Sequence, residues 1–422
     1  MNLIPHTTKK VKDSPQKSGF LLVNKPVGPT SHDIIDQLRK ITGIKQIGHA
    51  GTLDPFASGL LLVGIGEATK LLRHYVGLDK TYEAVLRLGA TSDTQDRTGK
   101  IQETLLRQGF GEQARYKQDT ITKLKIQKII KSFIGKQKQI PPMYSAKKVG
   151  GKKLYELARE GKKIERKAQE IEIYDLKVKK LSGQMLHVNC HVSSGTYIRA
   201  LAHDIGQALG CGAYLEELRR TAIGNFKLED AISLRHPEAE GTRHKLREES
   251  RRIKPKRDSR DPSLRLRSVQ DDVLSHLIPL KTVLVSGTFD GVHEGHKNYF
   301  QQARKLAEAG GSIPKLICIV GRASIVKKIK GQEPLLLAKK RIKLVKQCPD
   351  IDQVYLGIAG TDQKVYDFTA SLKPDIIALG YDQKAYTKNL TQEMKKRGLT
   401  VNVKRLSPYK PKKHKNSLLN SR

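Results

Sequence analysis

The sequence predicts two successive units of different class: an α+β unit on a large, mostly antiparallel sheet, then an α/β unit with a doubly wound parallel sheet. Three observations predict this. Tyr82, Ala84, Leu86 and Leu88 alternate with more polar neighbours, as do Leu186, Val188, Cys190 and Val192, which is the period of half-buried strands. From Thr282 onward, strand-like and helix-like segments follow one another in turn, the order of a parallel sheet. Between the two, residues 235–270 hold twelve Lys/Arg against six Asp/Glu, a net +6, with almost no periodic apolar face.

In chain order, residues 1–18 form a polar, lysine-bearing tail without the apolar stretch of a signal peptide. Residues 20–24 form a short apolar strand. Ser31 is a suitable N-cap for a helix whose Ile34, Ile35, Leu38 and Ile41 recur at helical spacing. Residues 60–65 form a buried strand. The segment 105–116, with Arg107-Gln108-Gly109-Phe110-Gly111, reads as an inserted surface loop. A helical period resumes over 197–209. The first domain therefore spans 19–234, and 235–280 is expected to be a charged, solvated linker. In the second domain, 281–410, strands are expected at 282–285, 315–320 and 375–379. Helices are expected at 295–309 and 335–347, with a last helix and strand over 390–404. Residues 411–422 make a basic tail.

A chain of 422 residues exceeds one ordinary core, and 37% hydrophobic residues with periodic segments place it among globular proteins. No apolar run approaches the roughly 20 residues of a spanning helix, so no membrane role is expected. Four scattered cysteines without a CxxC pair argue against a zinc site or disulfide framework and fit a reducing cytoplasm. The formal charge of +37 points to a polyanionic partner, nucleic acid first. A lysine-rich surface that merely solubilises the chain explains the same number, and charge does not separate RNA from DNA.

Two motifs carry chemistry. Gly48-His49-Ala50-Gly51-Thr52-Leu53-Asp54-Pro55 presents a carboxylate on a tight turn. Taken alone, such an aspartate most often only caps its turn. It has distant companions: Asn24-Lys25-Pro26-Val27-Gly28, Lys80-Thr81-Tyr82, Pro141-Pro142-Met143-Tyr144-Ser145-Ala146-Lys147-Lys148, Gly195-Thr196-Tyr197-Ile198-Arg199 and Leu218-Arg219-Arg220. In this order and spacing they resemble the TruB family of tRNA pseudouridine synthases over residues 19–234. The resemblance implies the pseudouridine synthase fold and isomerisation of uridine 55 (tRNA numbering) in the T-loop, with no cofactor or metal. By that resemblance Asp54 is the catalytic carboxylate, Tyr82 stacks on the flipped uracil, and Arg199 pairs with Asp54 to keep it ionised and oriented. His49 resembles the histidine that displaces or holds the flipped nucleotide. Lys25 is expected to support the catalytic loop, and Tyr144, Lys147 and Lys148 to contact RNA. Many family members end in a small RNA-binding domain, where this chain carries its charged linker.

The second motif is Gly287-Thr288-Phe289-Asp290-Gly291-Val292-His293-Glu294-Gly295-His296. Two imidazoles that follow a strand and open a helix stand where helix amides meet an anion, and can hydrogen-bond a reacting phosphate. A zinc pair would need a third ligand, and ordinary surface histidines fit the bare motif equally well. With Lys330-Gly331, Arg341, Val354-Tyr355-Leu356-Gly357 and the run from Lys373 to Gln383, the motif resembles the cytidylyltransferase-like nucleotidyltransferases, FAD synthase and glycerol-3-phosphate cytidylyltransferase above all. The resemblance implies a Rossmann-like domain that binds ATP or CTP, with Mg²⁺ brought by the nucleotide. It implies nucleotidyl transfer to FMN or glycerol 3-phosphate, and makes Gly287, Thr288, Phe289, His293, His296, Lys330 and Asp382 nucleotide-binding residues. Arg322-Ala323 departs from the usual Arg-Asp, which leaves open a degenerate domain that only binds RNA or a nucleotide.

Overall fold

The computed structural model describes residues 17–104, 122–145, 148–149, 152–153, 165–234, 262–384, 387 and 389–409. The chain divides into two compact units, Leu21–His276 and a second comprising Met1–Phe20 with Leu277–Arg422.

The first unit runs β1 Gly19–Lys25, α1 Ser31–Thr42, β2 Ile47–His49, β3 Ser58–Ile65, α2 Arg73–Val76, β4 Lys80–Leu88, β5 Ala90–Ser92, β6 Ile101–Glu103, α3 Lys123–Ser132 and β7 Gly135–Gln139. It continues with β8 Lys148–Val149, β9 Lys152–Lys153, β10 Gln169–Ser182, β11 Met185–Val192, α4 Ile198–Leu209, β12 Ala213–Ile223, β13 Phe226–Lys227 and α5 Pro262–Ser275. Its main sheet has the order β1-β3-β12-β4-β11-β10-β7. The pairs β4–β11, β10–β11, β4–β12 and β7–β10 are antiparallel, and β3–β12 is parallel. The alternating residues of β4 and β11 turn inward, and Leu86 and Leu186 join the same core as Leu201 and Ile205 of α4. This burial is the period-two pattern read from the sequence, now with its partner helix.

Gly59 explains the parallel join. It stands at φ +107°, opposite Arg220, and a Cβ there would lie 2.3 Å from the Arg220 carbonyl oxygen. Only glycine lets β3 approach β12 this closely.

The second unit runs β14 Ile278–Gly287, α6 Glu294–Glu308, β15 Ile313–Val320, α7 Ala323–Lys330, α8 Ala338–Lys346, β16 Gln353–Leu356, α9 Asp362–Ser371, β17 Ile376–Leu379, α10 Leu390–Lys396 and β18 Asn402–Arg405. Pairing β16–β15–β14–β17–β18 is parallel throughout. Alternate residues of one strand serve opposite cores. Val283 and Val285 pack with Phe300 of α6 and Val345 of α8, whereas Leu284 packs with Leu390 and Met394 of α10. Helices on both faces make the sheet doubly wound.

Three expectations need correction. The span 235–280 is not all linker. Residues 262–275 form α5, whose Val273 and Leu274 are buried and whose Gln270 side chain donates to the Thr42 carbonyl at the end of α1, 2.9 Å away. The N-cap of α1 is Thr30, not Ser31. Thr30 accepts from the Asp33 amide, and Asp33 accepts in return from the Thr30 amide. The helix expected at 335–347 begins only at Ala338, and α7 precedes it. The loop at 105–116 lies outside the described residues.

Candidate active sites

Asp54 follows a loop held from below. Ser31, freed from capping, is buried. Its hydroxyl accepts from the Leu53 amide at 2.8 Å and donates to the Leu53 carbonyl at 3.1 Å. Lys25 is fully buried and donates 2.8 Å bonds to the Pro26 and Pro29 carbonyls, with Pro55 at 3.5 Å. Burial lowers its ammonium to about 8, against the pull of Asp54. Lys25 thus ties two loops together next to the Asp54 carboxylate.

Arg199 enters from the first turn of α4. Its Nε lies 3.0 Å from Asp54 Oδ2, its Nη1 3.1 Å from Asp96 Oδ2, and its Nη2 donates to the Tyr144 carbonyl at 2.8 Å. Asp96 is buried and accepts at 2.8 Å from Thr94 and at 2.9 Å from the Thr98 amide. One guanidinium therefore bridges two carboxylates. Burial raises the Asp54 carboxyl above the usual aspartate range, Arg199 opposes this, and Asp96 adds to it.

Tyr82 lies on the buried face of β4, opposite Arg220 of β12. Burial raises its hydroxyl, while hydrogen bonding and charge from Arg220 act the other way. Arg220 is 1% exposed and donates to the Leu60 carbonyl at 2.7 Å and the Gly51 carbonyl at 3.1 Å. It joins β3, the aspartate loop and Tyr82. His49 lies at the end of β2. Burial and Arg220 lower its imidazole, so it is neutral near pH 7. Tyr144 is partly exposed and meets Arg199 through its backbone. Lys148 is in β8, and Lys147 lies outside the described residues.

In the second unit a cleft of about 720 Å³ opens beyond the C-terminal ends of β14 and β17. It is lined by Gly287, Thr288, Phe289, His293, His296, Lys330 and Asp382, all seven of the expected nucleotide-binding residues. His293 is the N-cap of α6, and its ring stacks on His296 with centroids 3.9 Å apart. Burial and the neighbouring His293 push His296 down to about 3, so its imidazole is neutral in the open cleft. Phe289 has φ 57° and is buried. A Cβ on Gly287 would lie 2.7 Å from its ring, which accounts for glycine there. Arg341 is wholly buried and donates to the Thr288 and Gly321 carbonyls at 2.8 and 2.7 Å, holding the floor of the cleft. Gln383 bridges to the Ser286 hydroxyl at 2.9 Å.

A profile of the TruB pseudouridylate synthase N-terminal domain matches residues 39–198, one of the tRNA pseudouridylate synthase B C-terminal domain matches 199–267, and a cytidylyltransferase-like profile matches 284–418. The tRNA pseudouridine synthase B of Geobacter sulfurreducens is 43% identical over 216 residues, covering 51% of this chain and 67% of that protein. That of Syntrophomonas wolfei is 46% identical over 223 residues, covering 51% and 70%. The chain belongs to the TruB family of pseudouridylate synthases. Among solved structures, a Cbf5–Nop10–Gar1 complex aligns at 27% identity and TM-score 0.39, covering 63% of each chain. The TruB C-terminal match extends into α5, so the family's second domain reaches into the span expected as linker.

Four residues that shape this TruB-family site and the second cleft carry no signal in the sequence for the part they play there. Ser31 has the signature of a helix cap. Asp96 stands in a Thr-Gln-Asp-Arg stretch with no motif around it. Arg220 and Arg341 lie among the motif residues, but no local pattern shows what they hold. For the last two, burial of an arginine is the telling fact, and only the fold displays it.

Proposed function

We propose that the first unit converts uridine 55 of the tRNA T-loop to pseudouridine. The observation that carries this reading is the Asp54 carboxylate, about one-third exposed, held by Arg199 beside the buried Tyr82. The reaction is an isomerisation: the bond from the ribose C1′ to uracil N1 breaks, a bond to C5 forms, and the C5 proton is lost as N1 gains one. Nothing leaves, so the site needs positioning and charge rather than a cofactor. A base inside a folded loop must first be extruded, at a cost of a few kcal/mol, and the Tyr82 ring offers a surface for it. The raised Tyr82 hydroxyl stays protonated at rest and acts first as a stacking and hydrogen-bonding group. Pseudouridine mapping of T-loop RNA tests the reading. Product is expected with the wild-type protein and none above background with Asp54→Ala; product persisting in that variant refutes the assignment.

The second unit, in the same proposal, transfers a nucleotidyl group from ATP or CTP to a phosphate ester. The acceptor's phosphate oxygen attacks the nucleotide α-phosphorus, and pyrophosphate leaves. The support is the His293–His296 pair at the N-terminus of α6, inside the cleft. Mg²⁺ would arrive with the triphosphate and neutralise it. The carboxylates of Asp290 and Asp382 line the cleft, and among the described residues no group of three His, Cys, Asp or Glu forms a separate metal cage. The cleft volume and an apolar wall of Tyr366, Phe368, Ile377 and Leu390 favour FMN over glycerol 3-phosphate. Ala323 favours the binding-only alternative: α7 has no acidic residue in its first turn and no side-chain cap. Pyrophosphate release from ATP or CTP, with FMN or glycerol 3-phosphate, separates the two. Release abolished by His293→Ala and His296→Ala supports transfer; no release across the panel leaves binding alone.

A further inference from the structure

Residues 322–346, which carry α7 and α8, hold nine Lys/Arg against the single Glu333, a net +8. At the average density of the whole chain, +37 over 422 residues, a window this long would carry about +2. The excess is on the surface. Arg322, Lys327, Lys328, Lys330, Lys339, Lys340, Lys343 and Lys346 are all exposed, and only Arg341 is buried. Two of these lysines are paired, Lys327 with Glu333 at 3.2 Å and Lys328 with Asp362 at 3.6 Å. Lys330, Lys339, Lys340, Lys343 and Lys346 have no ion-pair partner among the described residues.

Local structure adds to the field rather than damping it. Neither α7 nor α8 has a side-chain N-cap or an acidic residue in its first turn, and Lys339 and Lys340 stand in the first turn of α8. Cations at that end oppose the helix dipole and are destabilising until an anion arrives. Apolar side chains are interleaved with the charges. Leu337 is 82% exposed, Leu335 65% and Ile329 46%. Ile329, Leu335 and Lys330 also line the mouth of the cleft.

We propose that this face binds an RNA strand across the mouth of the cleft, with the unpaired lysines on phosphates and the three apolar side chains against ribose and base. A cleft serving only free nucleotides and a small phosphate ester has no use for a belt of unpaired lysines outside it. A polyanionic strand is the natural partner of such a belt, and the rest of the chain belongs to an RNA-modifying family. The proposal does not depend on nucleotidyl transfer, because the lysines of α8 lie outside the cleft lining.

The test uses the full chain and a triple variant, Lys339→Glu, Lys340→Glu and Lys343→Glu, with single-stranded oligouridine and whole tRNA as probes over a salt series. Each lost phosphate contact removes about 0.7–0.9 from the slope of log K against log salt, so the variant slope is expected to be shallower by about two to three. Ultraviolet crosslinking should place RNA on peptides from residues 323–346 in the wild type and not in the variant. Where charge reversal lowers the melting temperature, the neutral Lys→Gln triple variant takes its place and should show the same loss of slope and crosslinks. An unchanged slope with either folded variant, or no crosslinked peptide from 323–346, overturns the proposal. Sedimentation with phosphatidylserine vesicles covers the other anionic partner: loss of vesicle binding with RNA binding intact would assign the face to a lipid surface and likewise overturn it.

Discussion

Arg220 is the residue on which the first site mechanically depends. It cannot touch RNA, because it is 1% exposed, yet its guanidinium donates to the Leu60 and Gly51 carbonyls and its charge acts on the Tyr82 hydroxyl. Asp54, by contrast, is shifted chiefly by burial, Arg199, Asp96 and Lys25. These facts predict a split. With wild-type protein, single-turnover rates should fall on acidification, because burial raises the Asp54 carboxyl and protonation removes the charge the reaction uses. Arg220→Gln should lower the maximal rate by about 100-fold through a misplaced loop, with KM for tRNA changed less than about threefold. Its acid limb should lie where the wild-type limb lies. A shifted limb, or an effect confined to KM, would show that Arg220 acts by charge on Asp54 or by holding RNA.

At the scale of elements, legibility followed period and range. The strands β4 and β11 and the helices α1 and α4 could be read because apolar residues recur at two or at three to four, and β3 because its apolar run is continuous. The helix α5 is harder to read, because it follows directly on the charge-rich stretch 235–261, although Leu266, Val269, Val273 and Leu274 stand at helical spacing. It docks on α1 through Gln270, a long-range contact that no local pattern encodes. The resemblance pointed to Asp54, Tyr82 and Arg199, but the second partner of Arg199 lies 103 positions away, at Asp96, and a lone aspartate has no signature. The tasks of Ser31, Arg220 and Arg341 are carried by backbone carbonyls and amides, which every residue possesses, so side-chain identity alone cannot announce them. The Thr30 cap shows a finer limit. Thr30 and Ser31 are both good caps, and the choice follows from Asp33 completing a capping box with Thr30 while Leu53 claims the Ser31 hydroxyl.

At the scale of the whole molecule, the chain carries separate cores of different architecture. One gathers Leu86, Leu186 and Leu201 under an antiparallel sheet, and the others sandwich a parallel sheet around Val283 and Leu284. Cooperative unfolding follows contiguous cores, so heating should produce two transitions rather than one. A ligand that binds one native unit stabilises that unit alone, by about 2.7 kcal/mol at a hundredfold excess over Kd. For a unit of this size that is a rise of roughly 5–10 °C in its midpoint. Scanning calorimetry with ATP or CTP and Mg²⁺ should therefore move one transition and leave the other in place. The moving transition should stop responding in a His293→Ala, His296→Ala variant, whose unliganded midpoint shows whether the cleft still folds. If nucleotide moves both transitions or neither, the cleft of the second unit is not the nucleotide site proposed for it.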